Sequence, residues 1–252
     1  MPHVGTTLPE GLEARLAPPA RALPDTDWLL VELYDFLPEL GVTRLHAEHP
    51  RQLIDLNRPP DDAPLYATTT TGLIPAELFD GVPAWQPGEQ PDAAEQAVLL
   101  DRYWRPYHDA LSQERARLRE RHGEMLLLDL HSIRSEVPRL FEGVLPDFNL
   151  GTNRGHASPP SLARALEEAL VEGPYTQVTD GRFRGGYITR RYGEPAKGLH
   201  ALQLELSQAT YMDEAALAPR IEDGRAAQVR PWLRAVGETA RRGEAARTRG
   251  AM

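Results

Sequence analysis

The sequence predicts an α/β fold, a single domain with a mixed, mostly parallel sheet flanked by helices. Two short apolar runs, 124–130 and 199–206, are typical of buried strands, and a strongly helical segment at 159–172 lies between them. Strands that alternate with helices favour a mainly parallel sheet. The length of 252 residues is ordinary for one such domain, so we assign all of 1–252 to it.

The first third of the chain is predicted to begin with helices and to continue as strands and loops. Apolar residues at a helical spacing favour two helices within 8–40. Short strands are predicted at 42–45 and 52–56. The stretch 57–91 is rich in Pro, Asp, Thr and Gly, which predicts a long loop, and such a loop in a compact enzyme is often functional.

The rest of the chain alternates between helices and strands. The predicted elements, in chain order, are a helix over 91–122, a strand over 124–130, a helix over 159–172, a short strand over 176–179, a strand over 199–206 and a helix over 213–246. Proline predicts interruptions of the last helix near Pro219 and Pro231. Residues from Arg241 onward are expected to fray or to extend a surface helix.

The composition excludes several classes of function. The chain has no cysteine, which excludes a disulfide scaffold, a cysteine nucleophile, a cysteine-based zinc site and an iron–sulfur cluster. No apolar run approaches the roughly 20 residues needed to span a bilayer, and the first residues do not resemble a secretory signal. A net charge of −9 argues against nucleic acid as a partner. We therefore expect a cytoplasmic protein that acts on a small molecule, without a nucleic-acid or membrane partner.

Nearly all of the positive charge is arginine, since Lys197 is the only lysine. A fixed cation in a site is therefore expected to be a guanidinium, whose planar fork suits carboxylates. Asn57 and Arg58 follow a predicted strand, and Arg58 there forms either a carboxylate clamp or an ion pair with a nearby aspartate. Segment 182–193 has four arginines within ten residues and two adjacent glycines, a pattern that fits an anion site or a surface hairpin with solvated arginines.

Two histidines and one glutamate are the other candidates for chemistry. His131 follows a predicted buried strand, where ligands bind in parallel sheets, so it is a metal ligand, a base or a histidine bonded to nearby backbone. His3 precedes a glycine turn and either reaches into a cleft or lies in an unstructured terminus. Glu205 shares a strand face with Gln203. Burial of that face would raise the pKa of the Glu205 carboxyl towards values useful for a general base, whereas a half-exposed strand would present it to water.

Short motifs spread over most of the chain, from Pro2 to Glu214, carry a family resemblance. They are Pro-His-Val-Gly-Thr at 2–6, Asp-Thr-Asp-Trp at 25–28, Leu-Tyr-Asp at 33–35, Ile-Asp-Leu-Asn-Arg-Pro at 54–59, Thr-Gly-Leu at 71–73, Leu-Phe-Asp-Gly at 78–81, Tyr-Trp-Arg-Pro-Tyr-His at 103–108, Asp-Leu-His-Ser-Ile-Arg at 129–134, Asn-Leu-Gly-Thr-Asn at 149–153, Gly-Gly-Tyr-Ile-Thr-Arg at 185–190, His-Ala-Leu-Gln-Leu-Glu at 200–205 and Tyr-Met-Asp-Glu at 211–214. In this order they resemble the N-formylglutamate amidohydrolase (N-formylglutamate deformylase) family.

The resemblance implies a fold similar to the zinc carboxypeptidases (phosphorylase/hydrolase-like) and one catalytic Zn²⁺ or another divalent metal. It implies that His3 and His131 are metal ligands and that Glu205 is the general base. The third ligand is expected to be a carboxylate, because zinc in hydrolytic sites takes about three protein ligands. Thr6 stands where the carboxypeptidases have a glutamate. The candidates for the third ligand, in order of preference, are Asp27, Asp25 and Glu10, and the alternative histidine ligands are His108 and His200.

The resemblance also implies the reaction, hydrolysis of N-formyl-L-glutamate to formate and L-glutamate in histidine degradation. The residues expected to bind substrate are Asn57, Arg58, Arg134, Arg184, Gly186, Tyr187 and Arg190, with Arg58 as one carboxylate clamp and Arg184 or Arg190 as the other. Two alternatives remain open: a hydrolase of another small N-acyl acidic amino acid, and a non-catalytic dicarboxylate-binding relative that has lost its metal. Members of the family usually begin with a short apolar strand ahead of the Pro-His-Val-Gly motif. If that strand is missing, the resemblance implies that His3 is held less firmly.

Overall fold

The computed structural model describes residues 1–65, 71–171, 173–216 and 219–250, with side chains as far as 242. The α-helices are α1 (Leu12–Arg15), α2 (Leu30–Leu33), α3 (Ala93–Leu99), α4 (Arg105–His122), α5 (Pro160–Val171), α6 (Tyr187–Tyr192) and α7 (Asp223–Gly250). The strands are β1 (Met125–Ile133), β2 (Phe148–Gly151), β3 (Gln177–Thr179) and β4 (Leu199–Ser207). A π-helical turn, Leu100–Trp104, joins α3 to α4. Short 3-10 helices cover Pro18–Ala22, Leu37–Leu40, Pro195–Lys197 and Gln208–Thr210.

The described residues form a four-stranded sheet in the order β1-β4-β2-β3. β1 is parallel to β4 and β2 is parallel to β3, whereas β2 and β4 are antiparallel. The sheet is therefore mixed and mostly parallel, which confirms the predicted fold class. In the register, Glu205 on β4 lies opposite His131 on one side and opposite Asn149 on the other.

The two faces of the central strands have opposite character. On one face, leucines of β1 and β4 join a buried core with α2, α5 and α7. The core leucines of the two strands are Leu130, Leu202, Leu204 and Leu206. On the opposite face lie Asp129, His131, Gln203 and Glu205, all at most 5% exposed. Because side chains alternate along a strand, the leucines that anchor the sheet place these polar groups together on the other side.

The first third of the chain is more irregular than predicted. The helices within 8–40 are limited to α1 and α2, four residues each, and to two 3-10 turns. The strands predicted at 42–45 and 52–56 are wrong, because neither segment is extended into the sheet. Residues 50–58 instead form successive turns, in which the amide of Leu53 bonds to the carbonyl of Pro50 and that of Arg58 to Asp55. These turns bring Arg51 and Asp55 to His3 and Asn57 to the side chains of Asp129 and His131 on β1.

The later elements match the predictions more closely, with three corrections. The helices at 91–122 and 159–172 and the strands at 124–130, 176–179 and 199–206 are confirmed. β2 and α6 are additional elements, and α6 replaces the surface hairpin considered for 182–193. The last helix begins at Asp223 instead of 213, and Pro231 lies inside it without ending it. Leu217, Ala218 and the last two residues lie outside the described part of the chain.

His108, an alternative metal ligand in the sequence, has a structural position instead. Its Nε2 lies 2.9 Å from the carbonyl oxygen of Leu56 and its Nδ1 lies 2.9 Å from the hydroxyl of Tyr192. The ring also packs on Trp104, with ring centroids 3.8 Å apart. Both ring nitrogens are thus engaged in joining α4 to α6 and to the turns at 50–58. Burial lowers the pKa of His108 to about 4.

This buried histidine makes the stability depend on pH. In the unfolded chain His108 takes up a proton near its ordinary pKa of 6.5, whereas the folded protein does so only near 4. The unfolded state therefore binds more protons below about pH 6.5, and the free energy of unfolding falls as the pH is lowered from 6.5 to 4, by at most about 3 kcal/mol. We expect His108→Gln to flatten this slope in urea unfolding. His122→Gln, an exposed histidine on the same helix, is the control, and equal slopes for wild type and His108→Gln would contradict the prediction.

Candidate active site

A cavity of about 80 Å³ opens at the carboxyl ends of β1 and β4. Its lining includes His3, Asp27 and His131, which were predicted as metal ligands, and Glu205, which was predicted as the base. The N-terminal segment, the turns at 50–58, both strands and the loop that precedes α6 all contribute to it. The position agrees with the rule that open α/β sheets bind ligands at the carboxyl ends of their strands.

Within the cavity, His3, Asp27 and His131 form a cluster that could hold a metal ion. One ligand atom from each residue lies within 4.8 Å of the others, and all three residues are buried. Oδ2 of Asp27 lies 3.0 Å from Nδ1 of His131 and 3.7 Å from Nδ1 of His3. Two imidazoles and one carboxylate are a donor set that zinc uses in hydrolytic sites, so the residues present fit a divalent metal.

Two further carboxylates, those of Asp55 and Asp129, contact the two histidine rings on the side away from Asp27. Nε2 of His3 lies 2.7 Å from Oδ1 of Asp55, and Nε2 of His131 lies 3.0 Å from Oδ1 of Asp129. Nδ1 of His131 faces Asp27, whereas Nδ1 of His3 contacts the guanidinium of Arg51 and lies farther from Asp27. A carboxylate behind a metal-ligating histidine fixes the ring orientation and raises its basicity.

The charges of this cluster are strongly coupled. Burial alone would lower the pKa of His131, but the carboxylates of Asp129 and Asp27 raise it to about 10. Burial would likewise raise the pKa of Asp27, but the hydrogen bond to His131 and the nearby ring of His3 hold it well below its ordinary range. Three buried carboxylates around two imidazoles create a demand for positive charge, which a divalent cation would satisfy.

The loop that carries Asp27 is tied to the strand that carries His131. The carbonyl oxygens on either side of Asp27 lie 3.0 Å from Nε2 of Gln208 and 2.8 Å from the hydroxyl of Tyr211. The Tyr211 hydroxyl also lies 2.8 Å from Oγ of Ser132, the residue after His131. These contacts explain how a loop residue is placed accurately beside a strand residue.

Glu205 lies on the same face as His131, in the adjacent strand. It is 5% exposed, and its Oε2 accepts a hydrogen bond of 3.0 Å from Nε2 of Gln203. Oε1 of Gln203 in turn accepts a bond of 2.8 Å from the amide of Gly186. Burial raises the pKa of Glu205 to about 7, and the negative charge of Asp27 acts in the same direction. A carboxyl with a pKa near neutrality is suited to take up and release a proton.

Asn57 joins the metal cluster to α6. Its Nδ2 lies 3.0 Å from Nε2 of His131 and 3.2 Å from Oδ2 of Asp129, while its Oδ1 accepts a bond of 2.8 Å from the amide of Ile188. A Cβ on Gly186 would lie 2.4 Å from Nδ2 of Asn57, so the glycine is required for this close approach.

Among the described residues, three arginines line the cavity: Arg51, Arg58 and Arg182. The guanidinium of Arg51 contacts the ring of His3 and lies 3.7 Å from Oδ2 of Asp55, so it belongs to the metal cluster. Arg58 donates to the hydroxyl of Thr71 at 3.1 Å. The side chain of Arg182 crosses to the loop after β1, where Nε donates to the carbonyl of Leu140 at 2.6 Å.

The other predicted substrate-binding residues lie outside the described cavity lining. Arg134 points towards Asp25, 3.9 Å away. Nε of Arg184 donates to the carbonyl of Asp180 at 3.3 Å, and Nε of Arg190 to that of Gly185 at 3.0 Å. The ring of Tyr187 packs against Trp104, with centroids 5.8 Å apart. These four side chains thus make their contacts with a carboxylate, with backbone carbonyls or with an aromatic ring outside the cavity lining.

The alternative metal ligands are also separate from the cluster. Asp25 accepts a bond of 2.8 Å from the amide of Phe79, and burial raises its pKa to about 6. Glu10 and Thr6 are exposed. His200 lies near the start of β4, at the opposite end from Glu205, where its Nε2 is 3.5 Å from Oε2 of Glu124. Of the three carboxylates considered, the structure therefore brings only Asp27 beside both His3 and His131.

Several lining or supporting residues were missed by reasoning from the sequence. Asp129 had a usable signal, because a residue two positions before His131 on a strand shares its face. Arg182 lies in the arginine-rich segment that was noticed, but the spacing there does not show which guanidinium turns inward. Arg51 and Asp55 had no such signal, since their positions depend on the turns at 50–58.

Comparison with known proteins identifies the relatives of this chain. The family model of N-formylglutamate amidohydrolase matches residues 1–212. The chain is 54% identical over 218 residues to the N-formylglutamate deformylase of Pseudomonas aeruginosa, covering 86% of this chain and 82% of that protein. It is 53% identical over 215 residues to the N-formylglutamate deformylase of Pseudomonas putida, covering 85% of this chain and 80% of that protein.

Two solved structures have the same fold. The N-formylglutamate amidohydrolase of Ralstonia eutropha JMP134 superposes with a TM-score of 0.82 at 28% identity, covering 96% of this chain and 93% of that one. A gene product of Agrobacterium tumefaciens superposes with a TM-score of 0.71 at 18% identity, covering 96% of this chain and 88% of that one.

Among the described residues, no helix has the length and apolar character needed to cross a membrane. The sequence match and the shared fold show that the chain belongs to the N-formylglutamate amidohydrolase family.

Proposed function

We propose that this protein hydrolyses N-formyl-L-glutamate to formate and L-glutamate with the help of a divalent metal, for which Zn²⁺ is the first candidate. The observation that carries the proposal is the buried cluster of His3, Asp27 and His131 in the same cavity as Glu205. The relatives named N-formylglutamate deformylase support the choice of substrate. The chemistry requires a group that activates water, a group that moves its proton, and cations that bind two carboxylates.

His3, Asp27 and His131 would hold the metal, and Asp55 and Asp129 would keep the two rings oriented. When bound there, the metal supplies a Lewis acid that polarises a carbonyl oxygen and lowers the pKa of water. Arg51 contacts His3 at the edge of the cavity. A guanidinium at this place adds positive charge where the oxygen of the formyl group becomes negative during attack.

Glu205 would move the proton. It takes a proton from the attacking water as the new C–O bond forms, and it passes that proton to the amide nitrogen as the C–N bond breaks. The products are formate and L-glutamate, whose amino group is now free. Gln203 holds the Glu205 carboxylate through its Nε2, and Gly186 holds Gln203 in turn.

The two substrate carboxylates would be bound by Arg58 and Arg182. These arginines reach the cavity from different segments, the turns at 50–58 and the loop before α6, so they can bind two separate groups. Arg51 and Arg58 both lie near Oδ2 of Asp55, at 3.7 and 3.8 Å, but the guanidinium of Arg51 also contacts the ring of His3, which leaves it less suited to a substrate carboxylate. Arg182 replaces Arg184 and Arg190 in this role.

The direct test is release of formate from N-formyl-L-glutamate by protein loaded with Zn²⁺ and by the same sample after chelation. We expect release that requires the metal and returns when Zn²⁺ is added back. Release from N-acetyl-L-glutamate or N-formyl-L-aspartate, but not from N-formyl-L-glutamate, would shift the proposal to another N-acyl acidic amino acid. A protein that binds no metal and releases no formate would favour a non-catalytic dicarboxylate-binding relative.

Arg58→Ala and Arg182→Ala are expected to raise KM for N-formyl-L-glutamate and to change kcat less. A charge-assisted hydrogen bond contributes about 1.5–3 kcal/mol, so each loss corresponds to an increase of roughly 10- to 100-fold. Arg184→Ala is the matched control, because this guanidinium bonds to backbone outside the cavity. Steady-state kinetics will show the difference, and an unchanged KM in either cavity variant would remove that arginine from the substrate site.

A further inference from the structure

We propose that Asn149 positions Arg182 for substrate binding, a role that rests on the proposed function and adds a residue to the same site. Asn149 lies on β2, is fully buried and is paired in register with Glu205. Its side chain therefore emerges on the face of the sheet that carries the active site. Because it is not among the described residues that line the cavity, its effect on substrate must be transmitted by a neighbour.

The side-chain amide of Asn149 binds both backbone polar groups of Phe183. Its Nδ2 donates to the carbonyl oxygen of Phe183 at 2.6 Å, and its Oδ1 accepts from the amide of Phe183 at 3.2 Å. The pair of bonds imitates one rung of a β-ladder, so it fixes both the position and the rotation of this stretch of backbone. Arg182 directly precedes Phe183, and its guanidinium reaches the cavity from this anchored backbone.

A glycine makes room for the anchored segment. A Cβ on Gly151 would lie 2.7 Å from the amide nitrogen of Gly185 and 3.1 Å from the carbonyl oxygen of Phe183, so any other residue would push the segment off β2. The side chain of Arg182 is held at its far end by the carbonyl of Leu140. With the backbone held at one end and Nε at the other, the guanidinium is preorganised for a carboxylate.

The metal cluster does not depend on this anchor. The side-chain hydrogen bonds shown for Asn149 go to Phe183, whereas His131 and Asp27 are held by Asp129, Gln208 and Tyr211. Gly186, whose amide holds Gln203 and through it Glu205, is fixed separately, because the amides of Tyr187 and Ile188 that follow it bond to Asn57. Loss of the Asn149 side chain should therefore loosen Arg182 and leave the metal and the proton transfer in place. A rise in KM without a loss of metal or of kcat would distinguish a positioning role of Asn149 from a general contribution to stability.

The test compares Asn149→Ala, Arg182→Ala and the double variant in the Zn²⁺-loaded protein. Misplacement of a binding group by about 1 Å can cost about 100-fold, so we expect Asn149→Ala to raise KM for N-formyl-L-glutamate by roughly 10- to 100-fold, with kcat within about threefold of wild type. In the Arg182→Ala background, the second change should add less than about twofold, because both act through one contact. Leu150→Val, on the same strand but facing the core, is the control and should leave KM unchanged.

A second measurement does not depend on substrate. Backbone amides of 181–184 should exchange hydrogen faster in Asn149→Ala than in wild type, and at the wild-type rate in Leu150→Val. Additive effects of Asn149→Ala and Arg182→Ala on KM, a fall in kcat as large as the rise in KM, or unchanged hydrogen exchange would each overturn the role of Asn149. Failure of the proposed function would appear differently, as absence of formate release from the wild-type protein.

Discussion

Glu205→Gln is expected to lose most of the turnover and to keep the metal. Glutamine has nearly the same shape and can still accept the hydrogen bond from Gln203, so the side chain should keep its place in β4. The neutral amide cannot take a proton from water, and loss of a general base typically costs about 10²- to 10⁴-fold. We therefore expect kcat for formate release to fall by about that factor.

The measurement is kcat together with the metal content of the purified variant. Metal bound at the wild-type level, with turnover nearly lost, would agree with Glu205 as the group that moves the proton. Turnover at the wild-type level would exclude that role. Loss of the metal would indicate instead that Glu205 helps to hold it.

Asp27→Asn is expected to lose the metal, and with it the activity. Asp27 is the carboxylate that the structure places beside Nδ1 of both His3 and His131. Changing groups that only hydrogen-bond a metal ligand typically costs 10- to 100-fold in affinity, and removal of a ligand is expected to cost at least about as much. Asp25→Asn is the matched control, since Asp25 is also buried but accepts its hydrogen bond from the backbone of Phe79.

The affinity for Zn²⁺ is measured by competition with a chelator that reports free metal, without any need for substrate. We expect Asp27→Asn to bind the metal at least about 100-fold more weakly and Asp25→Asn to bind it as wild type does. The reverse pattern, weak binding in Asp25→Asn alone, would make Asp25 the third ligand.

The elements that carry His131 and Glu205 could be predicted because their signals are local. β1 and β4 each contain an apolar run of strand length, and alternation along β4 places Gln203 and Glu205 on one face. Burial of that face, left open by the sequence, follows from the packing of the core leucines on the opposite side.

The elements that were missed depend on distant partners. β2 is only four residues long and is held by pairing with β3 and β4. The segment at 52–56 has the composition of a strand, but its side chains are used in turns around Asp55, whose backbone amide pairs with the carbonyl of Leu73. Short segments have weak local preferences, so tertiary contacts decide their conformation.

By itself, the sequence determined the family and the α/β class and supplied the candidate residues His3, His131 and Glu205, since motif order and periodicity are properties of the chain alone. The tertiary structure decided which acidic residue joins the two histidines and which arginines face the cavity. Asp27 and His131 are 104 positions apart, and they meet where Gln208 and Tyr211 hold the Asp27 loop against β1. Which way a loop side chain points depends on such long-range packing, whereas alternation along a strand is set by neighbouring residues.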